Sequence, residues 1–287
     1  MKAVVTGLVA ITVLLFAPTP VAVAETGQRI AQADAYLATR PGTVGYVLRD
    51  RTTGQAHRNN AATTMMWTAS TIKLAMVVDL LTRAHAGKIT LTPADRQLMA
   101  DMMHSSDSDA ADTLWERYSG PDNMAFNRNF ATYGLTSLQP QQGFSGTYPY
   151  WGFQKATSDD LDRLMNYTLT SLPAAQTAAI VAEMQHLDAN QQWGVWGAGP
   201  AMTPGNKNGW SREQGGWVVN SVGFAGPRQR YTLAIMNSLD GEGGYCTYGL
   251  LEKTAVAREE NLLPLGLSQD AVVTRGIPED GMVRWDD

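Results

Sequence analysis

Several things that would assign a chain to a common class are scarce in this one. It has a single cysteine, Cys246, in 287 residues, so no intrachain disulfide can form and stability must come from packing. Four histidines, His57, His85, His104 and His186, stand without metal-ligand spacing and there is no C-x-x-C, so we expect no metal and no cofactor. Charged residues make up 17% of the chain, the net charge is −5, and no lysine or arginine cluster occurs. That balance disfavours nucleic acid and anionic membrane as partners and favours a small-molecule or peptide substrate. No apolar run reaches the roughly 20 residues of a membrane span. The longest, Val4 to Phe16, follows Lys2, is interrupted by Pro18 and Pro20, and leads to Ala22-Val23-Ala24, a small-x-small pattern. This reads as a secretory signal peptide over residues 1–24, leaving a secreted (extracellular or periplasmic) monomer with no stable membrane anchor. No cysteine follows the apolar stretch, so a lipidated N-terminus is not expected.

What is present is a large apolar fraction, 44%, enough for a sizeable core. Gly27 to Thr39 reads as a short amphipathic helix with Ile30, Ala33, Tyr36 and Leu37 on one face. Val44–Leu48 and Gln55–His57 flank a turn with Gly54 and read as a hairpin. Helical patterns follow: one from Ser70 to Ala86 closing at Gly87, then starts at Pro93, Pro121-Asp122, Thr157 and Pro173. Strand patterns return at Lys207–Trp210, Trp217–Phe224 and Arg230–Asn237, before a helix-like stretch from Tyr245 to Leu263 and a polar tail over 267–287. The expected fold is α+β: a five-stranded antiparallel sheet flanked by N- and C-terminal helices, with an all-helical insert. The sheet domain takes residues 25–66 and 199–266, and the helical domain 67–198.

The sharpest chemical signal is Ser70-Thr71-Ile72-Lys73. A serine needs a neighbouring base to act as nucleophile, and residues three apart on a helix lie about 5–6 Å apart at Cβ. That spacing alone is equally well read as a capped helix start with Lys73 solvated. Two further segments bear on it: Ser106-Asp107-Ser108 behind a helix, and Lys207-Asn208-Gly209-Trp210 on a strand.

With these three in this order, the chain resembles the penicillin-recognising serine hydrolases, class A β-lactamases and DD-peptidases, whose motifs are S-x-x-K, S-D-N and K-T-G. The resemblance spans Gly27 to Leu263. It implies Ser70 as acylated nucleophile, Lys73 as its base, and Ser106 as proton relay to the leaving nitrogen. Lys207 would bind the substrate carboxylate, with Ser108, Asn208, Gly209 and Trp210 also at substrate. The oxyanion would be held by the N–H groups of Ser70 and Trp210. Burial and the second cation Lys207 would push the amine of Lys73 toward its neutral form.

Three departures stand out. Ser108 replaces the family's asparagine and Asn208 its threonine. Between Leu135 and Thr157, where class A enzymes carry the glutamate that activates deacylating water, there is no Asp or Glu, and the only charge is Lys155. Weak β-lactam turnover is therefore expected. The resemblance implies as substrate a β-lactam, a D-alanyl peptide or another carboxylate-bearing amide or ester. The alternative is a catalytically impaired protein that binds a ligand or peptidoglycan. Trp193, Trp196 and Trp217, Met99, Met102 and Met103, and the thiol of Cys246 read as packing. Asp107 reads as a structural loop residue and His104 as a helix-end or surface residue.

Overall fold

The computed structural model describes residues 20–239 apart from Pro41, Phe144, Ser145, Gln214 and Gly215. Cys246, the helix expected over Tyr245–Leu263 and the polar tail lie outside them. The first element among the described residues is α1 (Pro20–Leu37), which begins earlier than the expected Gly27 and includes Ala22 to Ala24. Strands β1 (Thr43–Asp50) and β2 (Ala56–Arg58) form the hairpin that alternation and Gly54 indicate, with Leu48 opposite His57. The short β3 (Met66–Trp67) leads to a 3-10 turn, Ala69–Thr71, and then α2 (Ile72–His85).

Next come α3 (Pro93–His104), α4 (Ser108–Tyr118) and α5 (Ala125–Phe130). α3 carries a capping box between Thr92 and Asp95. The helix expected to start at Pro121-Asp122 starts at Ala125 instead, because Asp122 accepts from the Met124 N–H and so satisfies a turn. β4 (Gln139–Pro140) and β5 (Gln154–Ala156) join β3 in a small sheet of order β3-β5-β4. α6 (Ser158–Thr170) has a second capping box, Thr157 with Asp160, and α7 (Ala174–Gln185) follows Pro173.

β6 (Gly205–Glu213), β7 (Gly216–Ala225) and β8 (Tyr231–Ser238) complete a five-stranded antiparallel sheet of order β2-β1-β8-β7-β6. All five strands fall where alternation placed them, and the α+β class with a five-stranded antiparallel sheet is as expected, whereas β4 and β5 lie within the insert expected to be all-helical, because extended residues there pair with β3. Side chains alternate between the sheet's two faces. One face sends Val222, Phe224, Ala234 and Met236 into the main core with the helices. The other packs Tyr46, Leu48, Leu233 and Ile235 against Leu37 of α1 and Val195. α2 is buried from Ile72 to Leu81 along the main core, so its N-terminal end is held rigidly. No helix among the described residues is long and apolar enough to cross a membrane.

Candidate active site

Ser70 sits half-buried in the 3-10 turn at the head of α2, and the turn is strained: Ala69, not a glycine, has φ +44°. Several bonds hold it there. The Thr71 N–H and hydroxyl both donate to the Thr68 carbonyl, at 3.2 and 2.6 Å. Thr68 donates through N–H and hydroxyl to the Gln154 carbonyl on β5. From β7, the Asn220 amide donates to the carbonyls of Trp67 (2.8 Å) and Thr68 (3.1 Å), and is itself oriented by the Asn237 N–H. Asn220 and Gln154 are missing from the sequence reading. The only signal for Asn220 is an amide inside the apolar run of β7.

The capped-helix reading of Ser70 and Lys73 does not hold. No side-chain cap bond forms at this helix start, and Lys73 is 0% exposed. Its Nζ donates to the Ser106 carbonyl (2.7 Å) and to Ser108 Oγ (3.1 Å). Lys207 is 1% exposed and its Nζ donates to Ser106 Oγ (2.8 Å) and to the Asn208 carbonyl (2.9 Å). Ser106 therefore stands between the two amines, main chain toward one and side chain toward the other. Its φ of +65° turns the two groups apart in this way. Because Ser106 Oγ accepts from Lys207, its own hydrogen is free to be donated elsewhere. Asp107 caps α4 by accepting from the Ala110 N–H at 2.8 Å, which orients Ser106 and Ser108 on either side of it.

Burial is the main force on both amines. It holds Lys73 down to about 7, against the carboxylates of Asp107, Asp112 and Asp109, which favour the ammonium. It pushes Lys207 well below the ordinary lysine value, and the charge of Lys73 pushes it further. The cation–cation effect anticipated for Lys73 thus falls on Lys207.

On β6 the alternation separates the third motif. Lys207 and Gly209 face the helices, whereas Asn208 and Trp210 face the opposite side of the sheet, across from Ser221 and Val219. Asn208 is buried and donates to the carbonyls of Gln191 (2.8 Å) and Trp193 (3.2 Å). Its side chain ties the strand to the 191–195 loop and is not presented to a ligand in the cleft. The Trp210 side chain packs edge-on against Trp193, 5.6 Å between ring centres, in a cluster with Val219, Leu239 and Trp217. Only its backbone can serve the cleft. Gly209 touches the nucleophile: a Cβ there would lie 2.7 Å from the Ser70 N and 2.6 Å from the Thr71 N. No other residue type fits without moving the strand.

The segment without carboxylates supplies Trp151. Its ring centre lies 4.4 Å from Lys73 Nζ, and the ring is 4% exposed. An aromatic face thus covers the amine. Asp112, one turn beyond Ser108 on α4, accepts from the Tyr150 hydroxyl (2.5 Å) and the Trp151 Nε1–H (2.6 Å) through the same oxygen. His104, at the end of α3, pairs with Asp188 at 2.9 Å and so helps anchor the loop beneath Asn208. Met99, Met102, Met103 and Trp193 are core residues.

The family described as "Beta-lactamase enzyme family" matches residues 28–94, which include Ser70 and Lys73. The chain is 30% identical over 221 residues to "Putative lipoprotein LppW" of Mycobacterium tuberculosis and Mycobacterium bovis, covering 74% of this chain and 68% of that one. In fold it is similar to a β-lactamase from Streptosporangium roseum, at 16% identity and TM-score 0.66, covering 82% of this chain and 99% of that one. It is also similar to a β-lactamase from Xanthomonas campestris, at 17% identity and TM-score 0.66, covering 82% and 97%. A reconstructed ancestral class A β-lactamase matches at 16% identity and TM-score 0.64, covering 79% and 97%.

Proposed function

The chain belongs to the serine β-lactamase-like superfamily, and on that premise we propose that it is an exported serine hydrolase acting through a Ser70 acyl-enzyme and releasing the acyl group slowly. The observation that carries this reading is the chain of contacts Lys73–Ser106–Lys207 beside Ser70, with Trp151 where a deacylating carboxylate would stand.

In this mechanism neutral Lys73 takes the Ser70 proton as Oγ attacks the carbonyl carbon of an amide or ester. The oxyanion is stabilised by the Ser70 N–H at the positive end of α2, together with the Trp210 N–H. Collapse breaks the bond to the leaving group, which receives its proton from the Ser106 hydroxyl, and Lys73, moving from the Ser106 carbonyl that holds its Nζ in the resting site to the hydroxyl, reprotonates Ser106. Lys207, whose acceptors are a hydroxyl and a carbonyl rather than a carboxylate, binds the substrate's own carboxylate, which restores its charge. A β-lactam, a D-alanyl peptide or a similar acid carries both groups. Water attack on the acyl-enzyme then lacks a carboxylate base, so the adduct persists. Export fits the lipoprotein description of LppW.

A second reading, binding without turnover, draws on Lys73 Nζ, which donates to Ser106 and Ser108 rather than to Ser70. Intact mass after incubation with a penicillin separates the two. A persistent adduct that is lost in Ser70→Ala supports the hydrolase. No adduct with any β-lactam or activated ester, and no turnover, leaves the binding protein. Rapid substrate loss without an adduct would refute slow deacylation.

A further inference from the structure

Asp112 carries no part in the proton transfers above, yet one of its oxygens holds two aromatic groups of the 139–157 segment at 2.5 and 2.6 Å. It lies four residues after Ser108, and so on the same face of α4 as the serine that binds Lys73. Tyr150 and Trp151 are further linked to the scaffold: the Trp115 indole donates to the Pro149 carbonyl at 3.2 Å, and Gln154 donates to the Tyr150 carbonyl at 2.8 Å. An indole N–H is donor only, so Asp112 fixes the ring's rotation as well as its position. That rotation is what lays the ring face, not its edge, over Lys73 Nζ.

We propose that Asp112 is a positioning residue whose carboxylate clamps the Trp151 indole over Lys73 and thereby keeps water from the amine and from the acyl group on Ser70. The clamp itself stands on geometry alone, whereas its effect on acyl release rests on the acyl-enzyme reading. Without the clamp, the ring swings away, water reaches Lys73, and the amine serves as base for attack on the acyl carbonyl: Lys73 takes a proton as water adds, the intermediate collapses with Ser70 Oγ leaving, Lys73 returns that proton to Oγ, and the product acid is released.

Two variants separate the roles. Asp112→Asn keeps an oxygen acceptor for the indole, while Asp112→Ala removes it. In the 15N-tryptophan-labelled full chain, hydrogen exchange of the Trp151 Nε1–H should be slow in the parent and in Asp112→Asn, and at least tenfold faster in Asp112→Ala. With a penicillin adduct followed by intact mass, Asp112→Ala should shorten adduct lifetime severalfold at little change in its rate of formation, and Asp112→Asn should restore it. A merely structural aspartate would slow adduct formation and leave its lifetime alone. Should Asp112→Ala fail to fold, Trp151→Phe keeps the ring without its N–H, and the same shortening is expected. Unchanged indole exchange in Asp112→Ala, or unchanged adduct lifetime in both it and Trp151→Phe, overturns the proposal. If the parent forms no adduct, the exchange measurement still decides the clamp while the acyl-enzyme reading falls.

Discussion

Lys73 and Trp151 stand 4.4 Å apart, amine nitrogen to ring centre, so that the ring face covers the buried amine. This contact links the two halves of the site, because Lys73 belongs to the buried helix α2 and Trp151 to the segment that lacks acids. It makes the replacement of Trp151 the most direct probe of acyl release. Trp151→Glu is expected to place a carboxylate beside Lys73 and shorten the lifetime of a penicillin adduct at least tenfold, as general-base assistance typically contributes about 10²–10⁴-fold. Decay of the adduct mass with time checks it. A lifetime equal to the parent's would mean that the missing carboxylate is not what limits release.

Acylation should depend on pH through Lys73. Its amine must be neutral to take the Ser70 proton, and burial brings it to about 7 against Asp107, Asp112 and Asp109, with the amine of Lys207 facing it across Ser106. The rate of adduct formation is expected to rise with pH through about 7 and level off above it. Stability moves in the same direction: above about 7 the unfolded lysine still holds a proton that the folded one has lost, so this group favours folding increasingly as pH rises toward the ordinary lysine range. Adduct formation between pH 5.5 and 9 that is flat, or that falls with pH, would contradict a neutral Lys73 as base.

Gly209→Ala tests the contact between β6 and the nucleophile turn. The added methyl would meet the main chain of Ser70 and Thr71 at 2.6–2.7 Å, a clash that only a shift of strand or turn relieves. Overpacking of this kind costs about 1–3 kcal/mol, and displacement of the Ser70 N–H should slow acylation at least tenfold. Thermal melting and adduct kinetics should both register the change; normal kinetics would show that the strand and turn move independently.

Asp79 tests the support beneath the site. Buried on α2, it accepts from Asn129 (2.8 Å), Tyr133 (2.9 Å) and Arg83 (2.6 Å). Asp79→Ala leaves all three donors without it, including a guanidinium, and should destabilise the fold by about 3 kcal/mol. Denaturant unfolding measures this, and a loss under about 1 kcal/mol would mean that the donors find other partners.

The sequence by itself, though not enough for the start of α5 or the small sheet of β3, β4 and β5, was enough for the five strands of the main sheet, the helix starts at Pro93, Thr157 and Pro173, and the order of the three motifs. These depend on local periodicity and capping, which a linear pattern carries: β1, β2, β6, β7 and β8 fall where alternation placed them. It also sufficed to exclude a loop carboxylate near Lys73, because an absence over Leu135 to Thr157 holds in any conformation. Alternation along β6 already separates Lys207 from Asn208, yet reading the motif as a block grouped them. Only the tertiary structure decided which face met the helices and which the 191–195 loop.

The same holds for what surrounds Ser70. Asn220, Gln154, Asp112 and Trp151 come from β7, β5, α4 and the acid-free segment, far apart along the chain. Their roles arise from distances of 2.6–4.4 Å that exist only after the sheet pairs and α2 is buried. Sequence could say that Ser70 had a base beside it. What stands over Lys73, an indole whose N–H donates to Asp112, is a property of packing.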